Sequence, residues 1–145
     1  MVAVTAGDIR ELYSLREAIE QLAVELIVGL RDDLDWSSLE AAVERMARAA
    51  DSGDDRAFTA ADMDFHVAVY ELAGHRRLLD VWRSYQRTFE VVLEQSAQGL
   101  DLHSGATDHR QLLETFRSGT ADACREAVHR HLDRAHARLR GSFPA

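Results

Sequence analysis

The 145-residue sequence contains no lysine, one cysteine, one proline and no apolar run long enough to span a membrane. Each scarcity excludes something. With Cys124 alone, no intrachain disulfide can form, which fits a cytosolic home. Met1-Val2-Ala3-Val4 lacks both the basic start and the apolar stretch of a secretory signal. Without lysine, all 17 basic side chains other than histidine are arginines; 25 carboxylates outweigh them, for a net charge of −8. That balance is a poor footprint for a nucleic-acid surface, so no direct nucleic-acid binding is expected of this chain.

What is present points to helices. Apolar residues make up 46 %, enough for one globular domain, and Ala, Leu, Glu and Arg favour helix. A first helix is expected from near Asp8 to about Gly29, with Leu12, Leu15, Ile19, Leu22, Ala23, Leu26 and Leu30 as its stripe. Ser37 and Glu40 read as a capping box opening a second helix, with Ser37 as N-cap. A third runs from about Asp55 to Ala73, closed by Gly74. A fourth starts near Arg76 and carries Leu78, Trp82, Tyr85, Phe89, Val92 and Ser96. Gln98 to Ala106 reads as a loop. A fifth helix spans Thr107 to Arg117, and a sixth Thr120 to Arg140. Residues 1–7 resemble a linker and 141–145 a tail. The expected fold is all-α: a single domain, an antiparallel bundle of about six helices.

Polar residues fall on the core faces of three helices. Asp62 and His66, four apart, share the face of Phe58, Ala61, Phe65, Val69 and Leu72. His109 lies three before Leu112, and His131 three after Val128. A buried Asp and buried His residues need partners. Imidazoles with one carboxylate suit a divalent metal ion, Zn, Ni, Fe or Mn, so Asp62, His66, His109 and His131 are the candidate ligands. Arg16 also faces inward and could fork onto a carboxylate; Arg138, seven after His131, lies on much the same face. The plainer alternatives are hydrogen-bonded core histidines and an Arg16 paired with Glu20. His129 reads as surface, His136 as a reserve ligand, and His75 and His103 as connection residues.

Four motifs in order resemble one family. Leu12-Tyr13-Ser14-Leu15-Arg16-Glu17-Ala18-Ile19-Glu20 is similar to the opening of the FadR-type C-terminal (FCD) domain of GntR-family bacterial transcriptional regulators. Asp62-Met63-Asp64-Phe65-His66 resembles its D-x-x-F-H motif, Asp108-His109-Arg110 its "EHR", and His131-Leu132 its "HL". The resemblance covers roughly residues 8 to 140. It implies a metal held by Asp62, His66, His109 and His131, a small organic acid bound beside it with help from Arg16, and a homodimer. The family pattern departs at His75, where Asn is common after the glycine. Family regulators carry an N-terminal winged helix–turn–helix, and too few residues precede the first helix here to form one.

Three functions compete on this reading. The first is a metal-dependent sensor of an organic acid, whose binding shifts helix packing. The second is a stand-alone metalloenzyme using the same site for Lewis-acid or iron chemistry, with Tyr70, Tyr85, Glu20 and His136 as candidate acids or bases. The third is a structural metal that only pins helices.

Overall fold

The computed structural model describes residues 4–145, and of Ser96 the backbone alone. The linker-like segment therefore lies partly outside the described residues, at 1–3, as does the Ser96 side chain expected on the fourth helix. The described chain forms six α-helices: α1 (Ala6–Leu30), α2 (Ser37–Ser52), α3 (Asp55–Leu72), α4 (Arg76–Ala97), α5 (Leu102–Ser118) and α6 (Ala121–Arg138). A 3-10 turn, Arg31–Asp33, follows α1.

Side-chain caps decide most of the helix starts. Thr5 and Asp8 form a reciprocal capping box, so α1 begins two residues before the expected Asp8. Asp54 caps α3 and Thr120 caps α6, each through a first-turn N–H. His75 takes the cap position of α4: its Nδ1 accepts from Leu78 N at 3.3 Å. The ring thus serves where an asparagine side chain would, which accounts for the tolerated departure at that residue.

Two starts differ from expectation. Ser37 is the first residue of α2 rather than its N-cap; Trp36 holds that place without a side-chain bond, and Asp35 Oδ1 accepts from Ser37 N instead. The stretch expected as a loop up to Ala106 is helical from Leu102, because Asp101 accepts from His103 N and Ser104 N. Glycines in a window of weak periodicity concealed that turn. Gly53 and Gly74, both at positive φ, end α2 and follow α3 as left-handed residues.

The core is one cluster. α2 packs on α3 and α5, α1 on α6, and α3 on α4, while α1 also touches α3 and α5. The tail returns to the start of α1, where Ala6 N donates to Pro144 O at 2.6 Å. Most of the expected core positions are buried, but Leu22, Leu30 and Tyr85 are 40–44 % exposed. These three sit on the outer edges of stripes wider than the bundle covers. No helix among the described residues is long and apolar enough to cross a membrane.

Candidate metal and anion site

Four neighbouring helices deliver the polar core. α3 carries Asp62 and His66 one turn apart, both buried, the imidazole completely so. α5 places buried His109 against them, and α6 brings half-buried His131. The ring centroids lie 6.3 Å (His66–His109), 6.1 Å (His66–His131) and 4.7 Å (His109–His131) apart. One nitrogen from each ring falls within 4.8 Å of the others. Asp62 Oδ1 touches two of the rings, 2.9 Å from His66 Nε2 and 3.0 Å from His109 Nε2.

The outer contacts fix which nitrogens face inward. His109 Nδ1 is 2.8 Å from Gly105 O, and a carbonyl can only accept, so Nδ1 carries the hydrogen. His66 Nδ1 lies 2.5 Å from Glu20 Oε1 and donates to that carboxylate. Both Nε2 atoms therefore point at one another's neighbourhood and at Asp62. Imidazoles held through Nδ1 by a carboxylate or carbonyl, with Nε2 converging, are the arrangement metal ligands adopt. Phe65 meets both rings edge-on, and Phe58 meets His109, which limits their rotation.

The cluster's carboxylates favour positive charge among the rings. Burial, then the neighbouring His109 and His66, pushes His131 well below its ordinary ionisation, so that ring is neutral with lone pairs to offer. Burial and the Arg16 guanidinium push His66 down, but Glu20 and Asp62 outweigh them and hold it above its ordinary value. Burial raises the Asp62 carboxyl, yet His109 and His66 overcome this and keep it well below the carboxylate range. Negative charge and inward lone pairs thus share one buried spot. A divalent ion would meet Asp62 and all three rings at once, while protonation is favoured at His66 and opposed at His131.

Arg16 stands beside this cluster, 1 % exposed. Its Nε donates to Glu20 Oε2 at 3.1 Å, and its Nη2 lies 2.5 Å from His66 Nε2. The plainer reading, a pair with Glu20, and the functional reading therefore both hold. Tyr13, Trp82 and Phe89 rings surround the guanidinium at 5.7–5.8 Å. Its Nη1 is buried without a hydrogen-bond partner among the described residues, a costly condition that a bound acceptor would relieve.

A cavity opens between these groups, lined by Arg16, Asp62, His109, His131, Arg134 and Arg138 on its polar side. Phe58, Leu93, Ala97 and Leu100 form much of the apolar side. It holds about 20 Å³, room for an ion or one water. An organic ligand needs more room than this, and Arg134 and Arg138 are the exposed charged members of the lining. Gly105 is needed here: a Cβ would come within 2.8 Å of Phe58 Cζ and 3.2 Å of Leu100 Cδ2.

The structure brings Asp62, His66, His109, His131 and Arg16 into one cluster, with Arg138 in the lining of the adjoining cavity. The reserve ligand His136 stands elsewhere, stacked on Tyr13 at 4.9 Å. His129 is exposed and pairs with Glu17. Three participants escaped the sequence reading: Glu20 as the acceptor for His66, Gly105 as the acceptor for His109, and Arg134 in the cavity wall. Arg134, three after His131 and four before Arg138, carried a spacing signal that could have revealed it.

A sequence model of the FCD domain family matches residues 11–134. Among curated proteins, the chain is 25 % identical over 125 residues to the "probable D-xylose utilization operon transcriptional repressor" of Paenarthrobacter nicotinovorans, covering 86 % of this chain and 55 % of that protein. It is 24 % identical over 137 residues to the uncharacterized HTH-type transcriptional regulator YdhC of Bacillus subtilis (strain 168), covering 92 % and 60 % respectively. The chain thus spans little more than half the length of these relatives. A crystal structure described as a GntR transcriptional regulator from Rhodococcus sp. RHA1 superposes with a TM-score of 0.78 at 24 % identity, covering 96 % of this chain and 67 % of that one, which shows the shared fold.

Proposed function

The chain belongs to the FCD domain family, and on that premise we propose that it is the effector-binding domain of a cytoplasmic GntR-type transcriptional regulator. The effector in this reading is a small organic acid, bound beside a divalent metal. The observation that carries it is the convergence of three imidazole nitrogens within 4.8 Å, two of the rings locked through Nδ1. His66, His109, His131 and Asp62 would hold the ion, which supplies a Lewis-acidic anchor for a carboxylate. The chain's own residues do the rest. Arg16 offers the buried, partnerless Nη1 to the acid. Glu20 fixes the orientation of His66 and supplies the counter-charge for Arg16. The α-helices contributing these groups are four different ones, so an acid drawn into the cavity biases their mutual packing.

The homodimer expected for this family would use the exposed apolar residues of α1 and α4. Leu22 and Leu30 on α1 and Tyr85 and Val91 on α4 are 40–48 % exposed, and a groove lined by Leu15, Tyr85 and Thr88 joins the two helices. The enzyme reading finds less support. Tyr70, Tyr85 and His136 do not line the cavity, and burial followed by Glu20 holds the Tyr70 phenol well above its ordinary value. Glu20 is committed to Arg16 and His66.

Zinc titration of the full chain, followed by calorimetry with hydroxy and keto acids, tests the proposal. One zinc per chain and acid binding abolished by EDTA are expected. His109→Ala should weaken zinc by more than the 10–100-fold typical of an outer-contact change. Wild-type protein that takes up no zinc would overturn the reading.

A further inference from the structure

The charge around the cavity narrows the class of acid, and this inference rests on the effector reading above. Three carboxylates stand at or directly behind the site: Asp62 and Asp108 line the cavity, and Glu20 sits behind Arg16 and His66. Three guanidinium groups face them: Arg16, Arg134 and Arg138. The side-chain charges cancel, because the imidazoles that face an ion must be neutral to ligate it. The double charge of a divalent ion is then left for the ligand to neutralise.

The positive charge is also spread along the cavity. The inner end has the imidazole cluster and buried Arg16, whose Nη1 lacks an acceptor. The outer end has Arg134 and Arg138, one turn apart on α6, three and seven residues beyond His131. Neither makes an ion pair among the described residues, and Asp108 beside them makes none either. The apolar lining, Phe58, Leu93, Ala97 and Leu100, offers hydrocarbon, and a ligand larger than one water fits only with the exposed Arg134 and Arg138 side chains swung outward. We propose that this site selects a short dicarboxylate: one carboxylate at the ion and Arg16, the other at Arg134 and Arg138, with the connecting carbons against the apolar wall. A phosphate monoester carries the same charge concentrated at one end and would leave the outer arginines without a partner.

The probe is the zinc-loaded full chain, titrated at low ionic strength with malate, lactate and inorganic phosphate. Malate should bind about tenfold more tightly than lactate, the scale expected for one further charge-assisted contact at an exposed rim. In Arg134→Gln/Arg138→Gln, two exposed substitutions, the malate-to-lactate ratio should fall toward one. Raised salt should shrink the ratio in the wild type as well. Equal affinities for malate and lactate, an unchanged ratio in the double variant, or phosphate binding more tightly than malate would overturn the dicarboxylate assignment while leaving the sensor intact. Zinc uptake followed by no binding of either acid would instead overturn both.

Discussion

α2 and α1 bury their inner faces in opposite ways. Every buried side chain of α2 is apolar: Leu39, Ala42, Val43, Met46, Ala49 and Ala50. α1 buries Ile9, Leu12, Ile19, Ala23, Val24 and Ile27, but sets Arg16 and Glu20 among them. The α2 seam needs nothing beyond its neighbours on α3 and α5. The α1 seam depends on its ions satisfying one another and His66. Replacing such a buried ion pair with hydrocarbon is often neutral or stabilising, so the pair is poor evidence for a stability role. Its position sets Glu20 on His66 and Arg16 on the cavity of the candidate site.

The sharpest way to break that contrast is Glu20→Gln. It removes the counter-charge of a fully buried guanidinium, with an expected loss of about 3–5 kcal/mol in metal-free denaturation. It should also weaken zinc about 10–100-fold, because His66 Nδ1 loses its ionised acceptor. If both quantities stay within the range of an exposed ion pair, the α1 seam is no different from the α2 seam. Met46→Ala is the matching change on α2. At 0 % exposure it should cost about 2–5 kcal/mol in urea unfolding, with zinc affinity unaltered in the folded fraction. A zinc defect there would mean that the two seams are coupled.

The smallest effect belongs to the exposed link between α6 and α1. Hydrogen bonding to Glu17, and then its charge, raises His129 above its ordinary 6.5. A raised histidine contributes stability that is present below 6.5 and lost as pH rises through its folded value. His129 and Glu17 are 53 % and 33 % exposed, so solvent screens the pair. His129→Gln should leave the thermal midpoint unchanged at pH 6 and pH 8. Proton NMR should place the wild-type ring's titration above 6.5.

Much of this was legible in the residues because periodicity and caps are local. The Asp62–His66 pair could be read from its four-residue spacing, and His109 and His131 from their places among leucines and valines. The contacts that tune them were not legible in the same way. Glu20 could be matched to Arg16 along one helix, but its bond to His66 spans 46 positions of sequence and depends on how α1 meets α3. The first turn of α5 was missed for a different reason: its start is set by Asp101, whose side chain outweighs the glycine and polar content of the turn it caps. Leu22, Leu30 and Tyr85 fit the helical period yet lie outside the core, since periodicity gives a direction and not the width of what covers it.

Gly105 has a consequence beyond its small size. Its N–H closes the opening loop of α5 onto Asp101 O at 3.0 Å, and its carbonyl receives the His109 ring. Winding of that turn and choice of imidazole tautomer are therefore a single event. The opening turn of α5 thus sets which nitrogen His109 presents to Asp62.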